Sequence, residues 1–145
     1  MIAIIDYGAG NLFSVKNALD FLEEESIITA DCREIRCADA VILPGVGAFP
    51  DAMRMLREQG LAEVIKEEAQ KKPLLGICLG MQMLFEKSYE FQETEGLGLI
   101  PGCVQLIDGG GLKIPHMGWN DLTVLNPCAM TENMPKGAYV YFVHS

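Results

Sequence analysis

The stretch Leu74-Leu75-Gly76-Ile77-Cys78-Leu79-Gly80-Met81-Gln82 decides how this chain folds. A short apolar run leads into a cysteine set between two glycines, and the amphipathic run Met81 to Lys87 follows. A buried strand therefore turns sharply into a helix at Cys78. Glycines two residues before and two after relieve the crowding of such a turn, which lifts the thiol to the carboxyl edge of a sheet beside the free N–H groups of a helix start. That is a nucleophile's position. A buried structural cysteine, the common alternative, has no need of paired glycines.

Upstream, short apolar runs alternate with helical patterns. Ile2 to Ile5 reads as the first strand, and Leu12, Val15, Leu19 and Leu22 recur at helical spacing after it. Ile27 to Thr29 and Ala40 to Leu43 are the next strands. Pro50 to Gln59 and Leu61 to Lys71 are helical stretches broken near Gly60, and Pro73 to Ile77 is the strand that ends at the cysteine. Strands alternating with helices form βαβ units, so the fold expected is α/β, doubly wound around a mostly parallel sheet. After Gly96 the pattern changes to Gly-rich short segments. Leu97 to Ile107 and the turn Asp108-Gly109-Gly110-Gly111 predict antiparallel strands and a hairpin.

Length and charge narrow the class. A chain of 145 residues reads as one domain, 1–145, with a real core. No apolar run approaches the ~20 residues that span a bilayer, and the amino terminus lacks a basic signal region. The net charge of −9 repels phosphates and anionic surfaces, so neither nucleic acid nor membrane is expected as a partner. The five cysteines include no C-x-x-C pair, which speaks against a disulfide framework or a metal site and for a reducing, cytoplasmic compartment. No cofactor is called for.

A second glycine motif, Leu43-Pro44-Gly45-Val46-Gly47-Ala48-Phe49, follows the strand ending at Leu43. It emerges at the same sheet edge as Cys78, so two loops face each other there. Backbone N–H groups freed by such a turn can hold the oxyanion of a tetrahedral intermediate, with the amide after the nucleophile, at Leu79, as the other donor.

Together the two motifs resemble those of the class I (triad) glutamine amidotransferases. Three further segments, Asp6-Tyr7-Gly8-Ala9-Gly10-Asn11-Leu12, Lys113-Ile114-Pro115-His116-Met117-Gly118-Trp119-Asn120 and Tyr141-Phe142-Val143-His144-Ser145, are similar to the glutaminase subunits that serve histidine biosynthesis. The resemblance implies a three-layer α/β/α flavodoxin-like domain whose substrate is glutamine and whose ammonia passes to a (β/α)₈-barrel cyclase subunit in a heterodimer. It assigns Cys78 as nucleophile and Leu79 with the Val46–Gly47 peptide as oxyanion hole. Gln82, Glu90 and the His144–Ser145 backbone would hold glutamine. Asn11, Met117, Trp119 and Asn120 would face the cyclase over an ammonia tunnel.

The resemblance covers the amino-terminal three-quarters of such a subunit, and the domain is expected to be incomplete at its carboxyl end. The His-x-Glu pair that supplies acid/base chemistry in the family has no match here. Neither His116 nor His144 is followed two residues later by Glu, and His144 matches a different family position. The 145 residues alone are therefore expected to be poor in turnover. Two alternatives stay open: the glutaminase of another biosynthetic pathway, and a noncatalytic flavodoxin-like module that uses its cysteine to bind or to sense oxidation.

Overall fold

A computed structural model describes all 145 residues, which form two compact units, residues 1–105 and 106–145. In the first, β1 (Ile2–Ile5), β2 (Ser26–Thr29), β3 (Ala40–Leu43) and β4 (Leu74–Gly76) make one sheet in the order β2-β1-β3-β4. Every pairing in it is parallel, with Ile2 opposite Ser26 on one side and Ala40 on the other, and Leu43 opposite Gly76. Parallel neighbours require crossovers. These are α1 (Leu12–Phe21), α2 (Cys32–Cys37) and the pair α3 (Phe49–Glu58) and α4 (Leu61–Ala69).

Alternate strand residues build the core. Ile5, Val41 and Leu43 pack with Ile35 of α2, with Phe49, Met53 and Leu56 of α3 and with Leu61, Val64 and Ile65 of α4. Helix α3 presents this face because Phe49, Ala52, Met53 and Leu56 recur at helical spacing and are all buried. Pro50 sits in its first turn, where a missing N–H costs nothing. Gly60, at φ +71°, makes the left-handed break between α3 and α4. Helix α1 contributes no buried residue.

Each strand and helix expected before Cys78 is present within a residue or two at either end. Helix α2 was not expected: its single buried residue, Ile35, gives no periodicity to read. The segment after the cysteine corrects the reading. The helix there, α5, is one turn, Leu79–Gln82, and Phe85–Ser88 is a strand, β5. Chain neighbours compete for this segment and win: β5 pairs antiparallel with β6 (Thr94–Glu95) and parallel with β7 (Ile100–Val104). The hairpin β5–β6 occupies one edge of β5, so the returning chain adds at the other edge and runs parallel. The antiparallel pairing expected for Leu97 to Ile107 is thus overturned. The Asp108–Gly111 turn likewise joins no strand pair, because β8 (His116–Asp121) pairs with β9 (Tyr139–His144) instead.

The second unit is built on that β8–β9 ribbon, antiparallel with His116 opposite His144 and Trp119 opposite Tyr141. Side chains alternate between its faces. One face carries Met117, Trp119, Tyr139, Tyr141 and Val143, all more than half exposed. The other carries His116, Asn120, Phe142 and His144. No helix of the chain is long and apolar enough to cross a membrane.

Candidate functional site

In the four-stranded sheet the chain leaves β1 towards β2 on one side, and β3 lies on the other. Connections that depart in opposite directions open a crevice outside the carboxyl ends of β1 and β3, the usual place for a ligand in an open α/β sheet. The loop after β1 holds Asp6 to Asn11, and the loop after β3 holds Pro44 to Ala48. The next strand, β4, ends at the same edge and delivers Cys78.

Cys78 has φ +56° and ψ −119°, the first central position of a type II′ turn, which glycine ordinarily fills. The Gly80 N–H closes that turn on the Ile77 carbonyl at 3.0 Å, and Met81 and Gln82 then donate to the Cys78 carbonyl at 3.0 and 3.2 Å. The thiol is exposed. A non-glycine residue in this region is strained, and the neighbouring contacts hold it there.

Three glycines make those contacts. A Cβ on Gly80 would lie 1.8 Å from the Leu43 carbonyl oxygen, and one on Gly76 would lie 2.5 Å from the Met81 Cα. A Cβ on Gly45 would meet the Gly80 nitrogen at 2.5 Å. The loop after β3 therefore lies directly on the cysteine turn, backbone against backbone, and the Ile77 N–H fastens it by donating to the Leu43 carbonyl at 3.0 Å. Beyond Gly45 the loop opens out: Val46 is exposed and nothing approaches the Cβ position of Gly47, which sits at φ +92°. The N–H groups of Val46, Gly47 and Leu79 take no part in backbone hydrogen bonds.

Two side chains hold the ends of this loop. At its start the hydroxyl of Tyr7, a fully buried residue, donates to the Pro44 carbonyl at 3.1 Å. At its end a carboxylate oxygen of Glu90 accepts the Phe49 N–H at 2.7 Å, and Glu90 is itself placed by donating its own N–H to the buried Ser88 hydroxyl. The sequence assigns neither side chain this anchoring role, and the family resemblance assigns Glu90 to glutamine only. A tyrosine inside a Gly-rich loop at a strand end was the available signal for the first; the second joins positions 41 apart and left none.

The remaining sequence candidates fall as follows. Gln82 is half-buried in α5. Asn11 caps α1, its side-chain oxygen accepting the Ser14 N–H at 3.2 Å. In the second unit Trp119 is 66% exposed, which removes it from any core of these residues, and its ring meets Tyr141 edge-on at 5.5 Å. Asn120 lies on the opposite ribbon face from Met117 and Trp119, bonded to His116 Nε2 at 2.9 Å. His116 Nδ1 and His144 Nε2 are 2.8 Å apart, with Phe142 against both imidazoles. A cavity of about 750 Å³ in the same unit, bordered by Val124, Cys128, Thr131 and Lys136, contains none of the candidates. The Cys128 thiol there is lowered by the Thr131 hydroxyl and the Met130 backbone.

The profile of the glutamine amidotransferase class-I family matches residues 3–145. The imidazole glycerol phosphate synthase subunit HisH of Oceanobacillus iheyensis is 54% identical over all of this chain, which spans 72% of that protein. The HisH of Caldanaerobacter subterraneus is likewise 54% identical, with 71% of its length covered. A crystal structure of a glutamine amidotransferase superposes on 99% of this chain with a TM-score of 0.75 at 19% identity, which shows a common fold.

Proposed function

We propose a function from one established premise: this chain belongs to the class-I glutamine amidotransferase family. It acts in the glutaminase subunit of imidazole glycerol phosphate synthase, releasing ammonia from glutamine for a cyclase subunit in histidine biosynthesis. The observation that carries the reading is the backbone contact between the Cys78 turn and the Leu43–Gly47 loop. It sets an exposed thiol beside N–H groups that no other backbone group uses.

On this reading the Cys78 sulfur adds to the side-chain carbonyl of glutamine. The oxygen takes negative charge and is held by the Leu79 N–H and the Val46–Gly47 peptide. Collapse of the adduct breaks the C–N bond, ammonia leaves with a proton, and a thioester remains until water hydrolyses it to glutamate. Gln82 and Glu90 bind the glutamine head group, the Glu90 carboxylate suiting its ammonium. The roles of His144 and Ser145 in glutamine binding, and of Asn11, Met117, Trp119 and Asn120 in docking a barrel cyclase, rest on motif resemblance. The exposure of Met117 and Trp119 is compatible with docking. The glutaminase and the cyclase form a cytoplasmic heterodimer, and ammonia passes between them within the complex because in bulk water it is protonated and lost as a nucleophile.

Both proton transfers need a positioned acid/base group, worth ~10² to 10⁴ each in rate. His116 is followed at the second position by Gly118 rather than Glu, and the His116 and His144 imidazoles are bonded to each other across the ribbon. The reading assigns neither imidazole to the acid/base role, so these residues alone attack glutamine without sustained turnover.

A chloroketone analogue of glutamine tests the site. Labelling mapped by mass spectrometry is expected to saturate, to fall on Cys78 ahead of the other four thiols, and to be blocked by glutamine. Labelling that shows no saturation, or that favours Cys128 or Cys37 in the folded protein, refutes the glutamine site.

A further inference from the structure

We propose that Tyr7 is a positioning residue for the oxyanion loop: its buried hydroxyl, donated to the Pro44 carbonyl, sets the direction in which the next peptides face Cys78. The inference rests on the glutaminase reading above and deepens it, since the Tyr7 hydroxyl bonds to the Pro44 carbonyl and acts through the loop.

The geometry makes Tyr7 a brace across the crevice. Its backbone leaves β1 at the carboxyl edge, and its hydroxyl reaches a loop 37 residues further along the chain. Its own position is fixed twice. The ring is fully buried in the main core cluster, and the Gln59 side-chain amide at the end of α3 donates to the Tyr7 carbonyl at 2.8 Å. The loop it braces is also pressed from the β1 side, where a Cβ on Gly10 would meet the Pro44 ring at 3.2 Å. Successive carbonyls of the loop are thus committed to different partners, Leu43 to the Ile77 N–H and Pro44 to the Tyr7 hydroxyl.

Two fixed carbonyls in a row orient the Leu43–Pro44 and Pro44–Gly45 peptide planes and so the course of the chain after them. The next residues, Gly45 to Gly47, have no side-chain anchor, and the next fixed point is the Phe49 N–H on Glu90. Losing the Tyr7 bond would leave the Pro44 carbonyl buried without its partner and let the Pro44–Gly45 peptide rotate. Burial also pushes the Tyr7 hydroxyl up to about 12, so it remains a proton donor throughout the neutral range.

The test compares Tyr7→Phe with the unaltered chain, using two reagents on Cys78. Iodoacetamide reports the thiol alone: a C–S bond forms at the sulfur and iodide leaves. With the chloroketone analogue of glutamine the thiolate first bonds to the carbonyl carbon, giving a hemithioketal whose oxyanion needs the donors. The sulfur then bonds to the methylene as chloride leaves, and the first C–S bond breaks as the carbonyl re-forms. Tyr7→Phe keeps the ring and its packing, and far-UV circular dichroism checks that the variant is folded at the assay temperature. The expected result is a fall of about fivefold to tenfold in the maximal chloroketone rate, the scale of one lost buried hydrogen bond. Half-saturation and the iodoacetamide rate should stay within twofold. Equal losses with both reagents, or no loss with either, overturn the assignment of Tyr7. An unaltered chain whose Cys78 shows no saturable preference for the chloroketone refutes the glutaminase reading itself, and that outcome is visible before any variant is made.

Discussion

Replacing Cys78 by glycine should make the protein more stable than replacing it by alanine, a reversal of the usual order. At φ +56° and ψ −119° any residue with a Cβ is strained by about 1 to 3 kcal/mol. Alanine keeps that strain and glycine removes it. Against the gain stands the extra entropy that glycine loses on folding, roughly 0.5 to 1 kcal/mol. The thiol is exposed, so its loss removes little packing and cancels between the two variants. The net expectation is that Cys78→Gly exceeds Cys78→Ala by ~1 kcal/mol, or about 3 °C in melting midpoint for a domain of this size.

Far-UV circular dichroism is the right probe, because all five helices lie within residues 1–105 whereas the single tryptophan, Trp119, reports the second unit. Ala18→Gly on the exposed side of α1 serves as the control. There the ordinary order holds, and glycine should cost about 1 kcal/mol. If Cys78→Gly melts below Cys78→Ala, as the control variant melts below its parent, the cysteine is not strained and the argument for a nucleophile turn loses its basis. The test needs no substrate and no partner.

Three other expectations follow from particular contacts. Gly80→Ala puts a Cβ 1.8 Å from the Leu43 carbonyl oxygen and should cost ~3 kcal/mol or more, whereas Gly47→Ala meets no atom and should cost only the ~1 to 2 kcal/mol of its φ; equal melting shifts would refute the contact. Glu68 lies between Lys71 and Lys72 at 2.8 Å each, and their hydrogen bonds hold its carboxyl down at about 2 against an ordinary 4.5. A depressed folded-state value stabilises the protein above the unfolded value and is lost as pH falls through the folded one. Glu68→Gln should therefore be destabilised at pH 7, with the deficit shrinking below about pH 4.5 and gone near pH 2; a pH-independent deficit would mean the charge is irrelevant. Trp119→Ala should weaken binding to the cyclase about thirtyfold, the loss of ~2 kcal/mol typical of a central interface aromatic, and unchanged affinity with the ribbon intact would exclude this face from docking.

The parallel sheet was legible because each of its strands is a short apolar run ended by a glycine or polar turn. The helices between them repeat buried residues at three- and four-residue spacing, as Phe49, Ala52, Met53 and Leu56 do. The segment after Cys78 was misread for a physical reason. Phe85-Glu86-Lys87-Ser88 fits a helix face as well as a strand when taken alone, and only pairing with Thr94–Glu95 and Ile100–Val104 decides it. The parallel direction of β7 depends on which edge of β5 is already filled, a fact about the assembled sheet. The two loop anchors have the same character. Tyr7 to Pro44 and Glu90 to Phe49 are long-range bonds, and only the assembled fold decides which residue each side chain meets.

The glycines of the two loops look alike in sequence and differ in what they do. Gly47 is needed for its backbone angle, a Cβ there would touch nothing, and its N–H, like that of Val46, is left without a backbone partner. Gly45, Gly76 and Gly80 have ordinary angles and are needed for closeness: each gives up a side chain so that one backbone can rest on another. The closest approach between the cysteine turn and the loop that faces it is consequently made by main-chain atoms, while the Tyr7 hydroxyl and the Glu90 carboxylate hold the two ends of that loop. The Cys78 conformation, costly by itself, is held by the Gly80 N–H on Ile77 and the Ile77 N–H on Leu43, and these bonds form only if the three glycines allow the approach. A cysteine turn made this way is rigid against most substitutions around it and intolerant of three. Single methyl additions at positions 45, 76 and 80 should therefore impair Cys78 labelling by the glutamine chloroketone far more than the removal of any large side chain exposed nearby, such as Val46→Ala.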